Sequence, residues 1–194
     1  MIFLNVGGNN KLIPTLSYYK DWEHHLLDID PKGNPDICCD AQLLQHKPEF
    51  HNKYDSVYCS HNLEHYYRHK VRGVLSGFYK VLKDDGFCYI AVPHIMNVLR
   101  RVVAFNMELT DPLYSVSAGP ISPHDVMYGW GLQLERSGQE YFVHKCAFTP
   151  KMLRDAFGAA GFPFAWTLEV DLNLVGIASK IELSEEVVKR IIES

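Results

Sequence analysis

The chain has 194 residues, 47% hydrophobic, 12% aromatic and 22% charged, with Lys+Arg 19 against Asp+Glu 23 and a formal net charge of −4. Roughly 100–200 residues make one domain, and this apolar share excludes disorder, collagen-like repeats and low-complexity function. The acidic balance and scattered Lys/Arg exclude a general DNA-backbone binder, which needs a basic face against the phosphates. The apolar runs, such as Ile90–Pro93, fall far short of the about 20 residues of a membrane span. No charged-then-apolar leader opens the chain, so the expectation is one cytoplasmic domain without membrane contact.

In chain order, residues 2–6 are a β-rich run stopped by Gly7-Gly8-Asn9-Asn10, a strong turn signal. Pro14 argues against a long helix after it. His25–Ile29 reads as a second strand, closed by Asp30-Pro31, and residues 36–39 as a third, ending at Asp40. Residues 41–47 read as a helical turn and Tyr54–Ser60 as a fourth strand. From Leu63 to Leu82 the apolar residues recur at three- and four-residue steps, the helix period. Asp84-Asp85-Gly86 closes that helix, and Phe87–Val92 is a fifth strand capped by Pro93. Val98–Leu109 is helical in pattern, and residues 110–147 carry no clean period. Thr149-Pro150 opens a helix, with Thr as cap and Pro at the first position, that runs to Ala160. Phe164–Val170 and Leu174–Ser179 form a closing hairpin, and Ser184 caps a last helix to Ile192.

Helical connections between strands imply parallel pairing, so the fold class is α/β: a doubly wound, mostly parallel seven-stranded sheet with a C-terminal antiparallel hairpin. Ligands of such sheets bind outside the carboxyl ends of the strands, where the order reverses. Polar groups placed just after strands therefore count most. Gly7-Gly8 follows the first strand, where a backbone without Cβ lets a ligand approach closely. Asp28 ends the second strand 21 residues after Gly7 (28 − 7), the offset at which a carboxylate accepts from ribose hydroxyls. The dinucleotide pattern G-x-G-x-x-G is absent, since the stretch reads Gly7-Gly8-Asn9-Asn10-Lys11-Leu12. A nucleoside without phosphates therefore fits better than NAD, and an NAD-dependent reductase is disfavoured.

Asp40 after the third strand and Ser60-His61-Asn62 after the fourth continue the series. With Leu63-Glu64-His65, the turn Lys83-Asp84-Asp85-Gly86 and Ile90-Ala91-Val92-Pro93, it resembles the class I S-adenosylmethionine-dependent methyltransferases, in particular their type 11-like branch. The resemblance covers residues 2–94 motif by motif and 144–180 more loosely, through His144-Lys145, Phe148-Thr149 and Ala160-Gly161-Phe162. It implies a Rossmann-like methyltransferase fold with S-adenosyl-L-methionine as cofactor. Asn5, Gly7 and Gly8 would then line the methionine moiety. Asp28 would hold the ribose hydroxyls, with Ile29 against the adenine, Asp40 and Ala41 at the adenine amine, and Ser60 and His61 beside the sulfonium. Asp30 is the competing ribose acceptor.

Ten histidines are the unusual count. His61, His65 and His69 are four apart and would share a face if the helix began that early. They lack a visible third metal ligand, so no metal site is expected. Five cysteines at 38, 39, 59, 88 and 146 have neither framework nor CxxC spacing and read as reduced thiols. His61, His65, His94 and His144, with His124 behind them, are the candidate proton acceptors for an attacking hydroxyl or amine. Residues 107–147 are expected to be a substrate lid inserted in a single domain spanning 1–194, with His124, Tyr128 and Trp130 facing the acceptor. The expected activity is methyl transfer to a small-molecule or glycan-linked acceptor. The alternative is a non-catalytic nucleoside- or partner-binding module on the same sheet.

Overall fold

The apolar runs pair into one seven-stranded sheet in the computed structural model, which describes residues 1–116 and 119–194. Along the chain lie β1 (Ile2–Val6), β2 (Glu23–Asp28), β3 (Ile37–Cys38), β4 (Tyr54–Ser60), α1 (Arg68–Val81), β5 (Leu82–Pro93) and α2 (Ile95–Ala104). Then come β6 (Tyr114–Val116), β7 (Gly119–Ile121), α3 (Pro123–Tyr128), α4 (Gly131–Ser137), α5 (Pro150–Ala160), β8 (Phe164–Val170), β9 (Asn173–Ser179) and α6 (Glu185–Ile192). The sheet order is β3-β2-β1-β4-β5-β9-β8. β1 to β5 are parallel, and β9 runs antiparallel to both β5 and β8. The fold class expected from the sequence is therefore the one observed. The order reverses between β1 and β4, which fixes where a ligand crevice opens.

Central strands buried on both faces carry continuous apolar runs, and here the two faces are covered unequally. One face packs under α1, α5 and the 3-10 turn Ala41–His46, around Tyr54, Phe78, Leu82 and Phe157. Gly77 makes that turn fit: an added Cβ would stand 3.0 Å from Leu44 Cβ and 3.1 Å from Gln45 N. The other face has α6 at one end and an aromatic layer at the other. Phe3 and Tyr19 stack there at 4.4 Å, with Tyr18, Trp22 and Phe87 edge-on around them. The buried Tyr19 hydroxyl meets Ser56 Oγ at 2.9 Å.

Several boundaries differ from the sequence reading, each for a local reason. α1 starts at Arg68 rather than Leu63, because Leu63–His65 forms a separate 3-10 turn that buries Leu63 and Glu64, and Tyr66 and Tyr67 are extended. His61, His65 and His69 therefore share no helix face. β5 begins at Leu82, and Asp84-Asp85-Gly86 lies within it. The register with β4 shifts there, from Tyr54↔Leu82 to Ser56↔Phe87. α2 starts at Ile95, capped by His94, whose Nδ1 accepts from Asn97 N at 3.1 Å. Residues 107–147 contain the β6–β7 hairpin and two short helices. α3 opens on a capping box in which Ser122 and Asp125 satisfy each other's backbone N–H. Ser117 and Ala118, inside that expected lid, lie outside the described residues. No helix of the described residues is long and apolar enough to cross a membrane.

Phe157 is fully buried between α5 and the sheet, against Gly176 and Phe162. Phe157→Ala is expected to lower unfolding free energy by about 3–5 kcal/mol in a urea titration. Leu12→Ala, at a side chain 92% exposed, is expected to change it by less than about 0.5 kcal/mol.

Candidate functional site

Two clefts open at the carboxyl ends of the parallel strands, and His61 lines both. The first, of about 380 Å3, runs from the β1 turn across the ends of β2 and β3. Gly7, Asp28, Ile29, Asp40 and His61 all line it, together with Asp30 and His65, so seven residues singled out in the sequence come together. Gly7 continues β1 by donating its N–H to Leu27 O at 2.8 Å, then turns at φ 71. The absence of a Cβ is required by a neighbour in the chain itself: one added to Gly7 would stand 2.0 Å from Asn62 Nδ2.

The acids do double duty. Asp28 accepts from Asn9 N and Asp30 N at 2.9 Å each, which shapes the turns, while its carboxylate still faces the cleft with lone pairs to spare. Asp40 caps the following turn through Gln42 N at 2.9 Å and accepts from Gln42 Nε2 at 2.8 Å. Asp30 also reaches the cleft. It accepts from Lys32 N and from the Tyr141 hydroxyl at 2.9 Å, and these bonds hold its carboxyl below the usual range. Burial, and then Asp30 itself, push the Tyr141 hydroxyl up. That bond ties residues 139–147 to the end of β2.

Other expected cofactor contacts fall outside the lining. Asn5 is buried beneath the turn with Nδ2 3.2 Å from His24 Nε2. Gly8 turns toward Asn5, and Ala41 is buried at the start of its 3-10 turn. Ser60 ends β4 paired with Ala91. These four act as framework. The sequence reading assigned no role to Asn62, Tyr66, Lys145 or Phe142, which also line the first cleft.

The second cleft, of about 560 Å3, is lined by Trp130, His144, Tyr114, Asp125, Arg101 and Leu172 among others. Trp130, expected from the sequence to face the acceptor, lines this cleft. His124 and Tyr128 do not: they lie on the exposed side of α3, ring to ring at 5.0 Å, because Pro123 and Val126 take the buried face. His94 is also removed from the base candidates. Its ring is 1% exposed, its Nδ1 caps α2, and its Nε2 lies 3.3 Å from Glu169.

Where the clefts meet, Glu64 stands 1% exposed with neither carboxylate oxygen hydrogen-bonded among the described residues. His61 Nδ1 lies 3.5 Å from its Oε1 and His144 Nε2 4.0 Å. His65 and His144 meet edge to face at 4.8 Å. His65 Nδ1 donates to Val143 O at 3.2 Å and His144 Nδ1 to Val126 O at 2.8 Å, since a carbonyl can only accept. Burial works against the Glu64 carboxylate, yet His61 first, then His65 and His144, hold it below the usual range. Burial likewise opposes a charged His61, and Glu64 outweighs it to raise that ring. Burial dominates at His144 and lowers it. The Glu64 carbonyl accepts from Lys145 N at 2.8 Å and Cys146 N at 3.2 Å, fastening the far segment to this turn. Glu64 was quoted within the Leu63-Glu64-His65 motif but given no function. Its adjacency to two cleft histidines was the available signal.

No family model matches the chain, and no curated protein sequence does. Solved structures do. The C-methylating domain of the citrinin polyketide synthase superimposes with a TM-score of 0.59 at 11% identity, over 94% of this chain and 47% of that one. A SAM-dependent methyltransferase from Archaeoglobus fulgidus matches at TM-score 0.55 and 14% identity, over 91% of this chain and 84% of that one. The 1,6-didemethyltoxoflavin N1-methyltransferase of Burkholderia thailandensis, solved with its substrate and S-adenosylhomocysteine, matches at TM-score 0.51 and 14% identity, over 93% and 71%. Of three matched chains this one spans only 62%, 47% and 56%. With its sheet order, its hairpin and these likenesses, the chain has the Rossmann-like fold of the class I S-adenosylmethionine-dependent methyltransferases.

Proposed function

We propose that the chain is an S-adenosylmethionine-dependent methyltransferase that acts on a small-molecule or glycan-linked acceptor. The observation that carries this reading is the meeting of two clefts at His61, one lined by the strand-end acids and the other by Trp130 and His144. The first cleft fits an adenosyl group: Asp28 offers a carboxylate to a cis-diol, Ile29 an apolar face to a base, and Asp40 an acceptor to an amine. Bound there, the cofactor supplies a methyl group on a sulfonium.

The chain's own residues then have positional tasks. Asp28 and Asp40 fix the nucleoside end, and Asn62 and His61 close the other end toward the second cleft. Trp130 gives the acceptor an apolar wall, with Asp125 and Arg101 as polar contacts. Residues 107–147 supply most of that wall and act as the substrate lid. Holding an acceptor at the His61 junction contributes up to roughly 7–11 kcal/mol through proximity and orientation. His61 faces the acceptor, and its ring in the neutral form takes a proton from an attacking hydroxyl or amine.

Titration of the purified chain with S-adenosylhomocysteine by calorimetry tests the cofactor half. Saturable binding is expected, and no heat at millimolar ligand would end the reading. Asp28→Ala is expected to weaken that binding by about 2 kcal/mol, roughly 30-fold, because ribose hydroxyls lose a charged acceptor. If Asp30→Ala does so instead, the ribose role belongs to Asp30.

Incubation with radiolabelled cofactor and cell extract tests transfer. Trp130→Ala is expected to lower labelling of the acceptor at least tenfold while leaving S-adenosylhomocysteine affinity unchanged. One specific observation favours a binding module that lacks turnover: Asn62 packs onto Gly7 where the first turn meets the junction. That reading predicts cofactor binding with no labelled product from any acceptor pool.

A further inference from the structure

We propose that Glu64, His65 and His144 bind one divalent transition-metal ion at the junction of the two clefts, beside His61. Each of the three offers one ligand atom, and these atoms lie within 4.8 Å of one another. A buried carboxylate is normally paired, since leaving an ion unsatisfied in the interior is expensive. Both Glu64 oxygens nonetheless lack a hydrogen-bond partner among the described residues. The nearest cation, His61 Nδ1 at 3.5 Å, is well beyond the about 2.7–2.9 Å of a charge-assisted bond.

The second shell is already in place. A metal-bound histidine characteristically donates its other ring N–H to a carbonyl or carboxylate, which fixes tautomer and ring orientation. His65 does so to Val143 O and His144 to Val126 O. In that tautomer Nε2 is the ligand atom of each ring, and that of His144 looks at Glu64 Oε1 across 4.0 Å. Two acceptors facing each other with no proton between them call for a cation. The nitrogen and carboxylate donors suit zinc and its divalent first-row neighbours rather than magnesium or calcium, which prefer all-oxygen sets. Ligands at about 2.0–2.2 Å from zinc require the three groups to draw together by roughly 1 Å. The site joins the turn after β4 to the base of the lid, so the ion would also brace that segment.

The proposal does not depend on methyl transfer, and its test is read without turnover. The full chain is stripped with chelator and titrated with Co2+ at neutral pH, following the visible d–d bands. One equivalent is expected, with intensity of four- or five-coordination, displaced by Zn2+, and with a raised melting temperature. Glu64→Gln and His144→Ala, checked for fold by circular dichroism, are each expected to weaken Co2+ binding at least tenfold. Should Glu64→Gln fail to fold, His144→Ala and the wild-type stoichiometry decide alone. No stoichiometric binding, unaltered affinity in His144→Ala, or a thiolate-to-cobalt band assigning the ion to the cysteines would each overturn the proposal. S-adenosylhomocysteine calorimetry on the same samples keeps failure of the metal site distinct from failure of the cofactor cleft.

Discussion

One buried carboxylate, that of Glu64, without a hydrogen-bond partner among the described residues, lies at the centre of the packing where the two clefts meet. Glu64 sits in the interior because Leu63 beside it is drawn into the core and the turn after β4 cannot project outward. The rings of His61, His65 and His144 surround its carboxylate, and its backbone oxygen takes two N–H groups from residues about eighty positions later. The segment that carries His144 is therefore fastened through the main chain of one residue. From there the constraint spreads: His144 fixes Val126, and Gly129 lies so close to Phe142 O that a Cβ would meet it at 2.4 Å. The wall of the second cleft is built outward from a buried charge.

The strand order explains why this happens at the junction. β1 and β4 diverge at the switch point, so the turns after Val6 and Ser60 leave space between them. His61 occupies that space at φ 50, a left-handed backbone that its N–H to Ala91 O helps hold at 2.8 Å. A non-glycine residue there carries some strain, of the kind retained where surrounding structure over-determines it. It is also the one ring shown to line both clefts.

Much of the sheet was legible because period and turn chemistry agree with tertiary packing. β1, β4, β8 and α5 fall where alternation, Thr149-Pro150 and Gly161 put them. The cleft acids were legible for a subtler reason. Asp28 and Asp40 are turn and cap residues by local chemistry, and in the same position they line the cleft, so one placement serves both. What was not legible depended on contacts distant in sequence. The late start of α1 follows from burial of Leu63 and Glu64 under residues 143–146. His94 was placed at a strand end by its number, but a backbone N–H three residues on claims its ring. His124 and Tyr128 looked like substrate contacts until Pro123 and Val126 claimed the inner side of α3.

The thin crossovers between the first four strands have a consequence for how the chain reaches this state. Only 3-10 turns connect β1 to β2, β2 to β3 and β3 to β4 among the described residues, so α1 is the first segment with several turns of local hydrogen bonding. The central pairing of β5 with β9 joins residues eighty or more positions apart, from Pro93↔Asn173 to Phe87↔Ser179. Closing such loops loses chain entropy before native contacts reward it. Docking of the C-terminal hairpin onto β5 is thus expected to come late in refolding. A nascent chain released before Asn173 leaves that strand's edge open to aggregation.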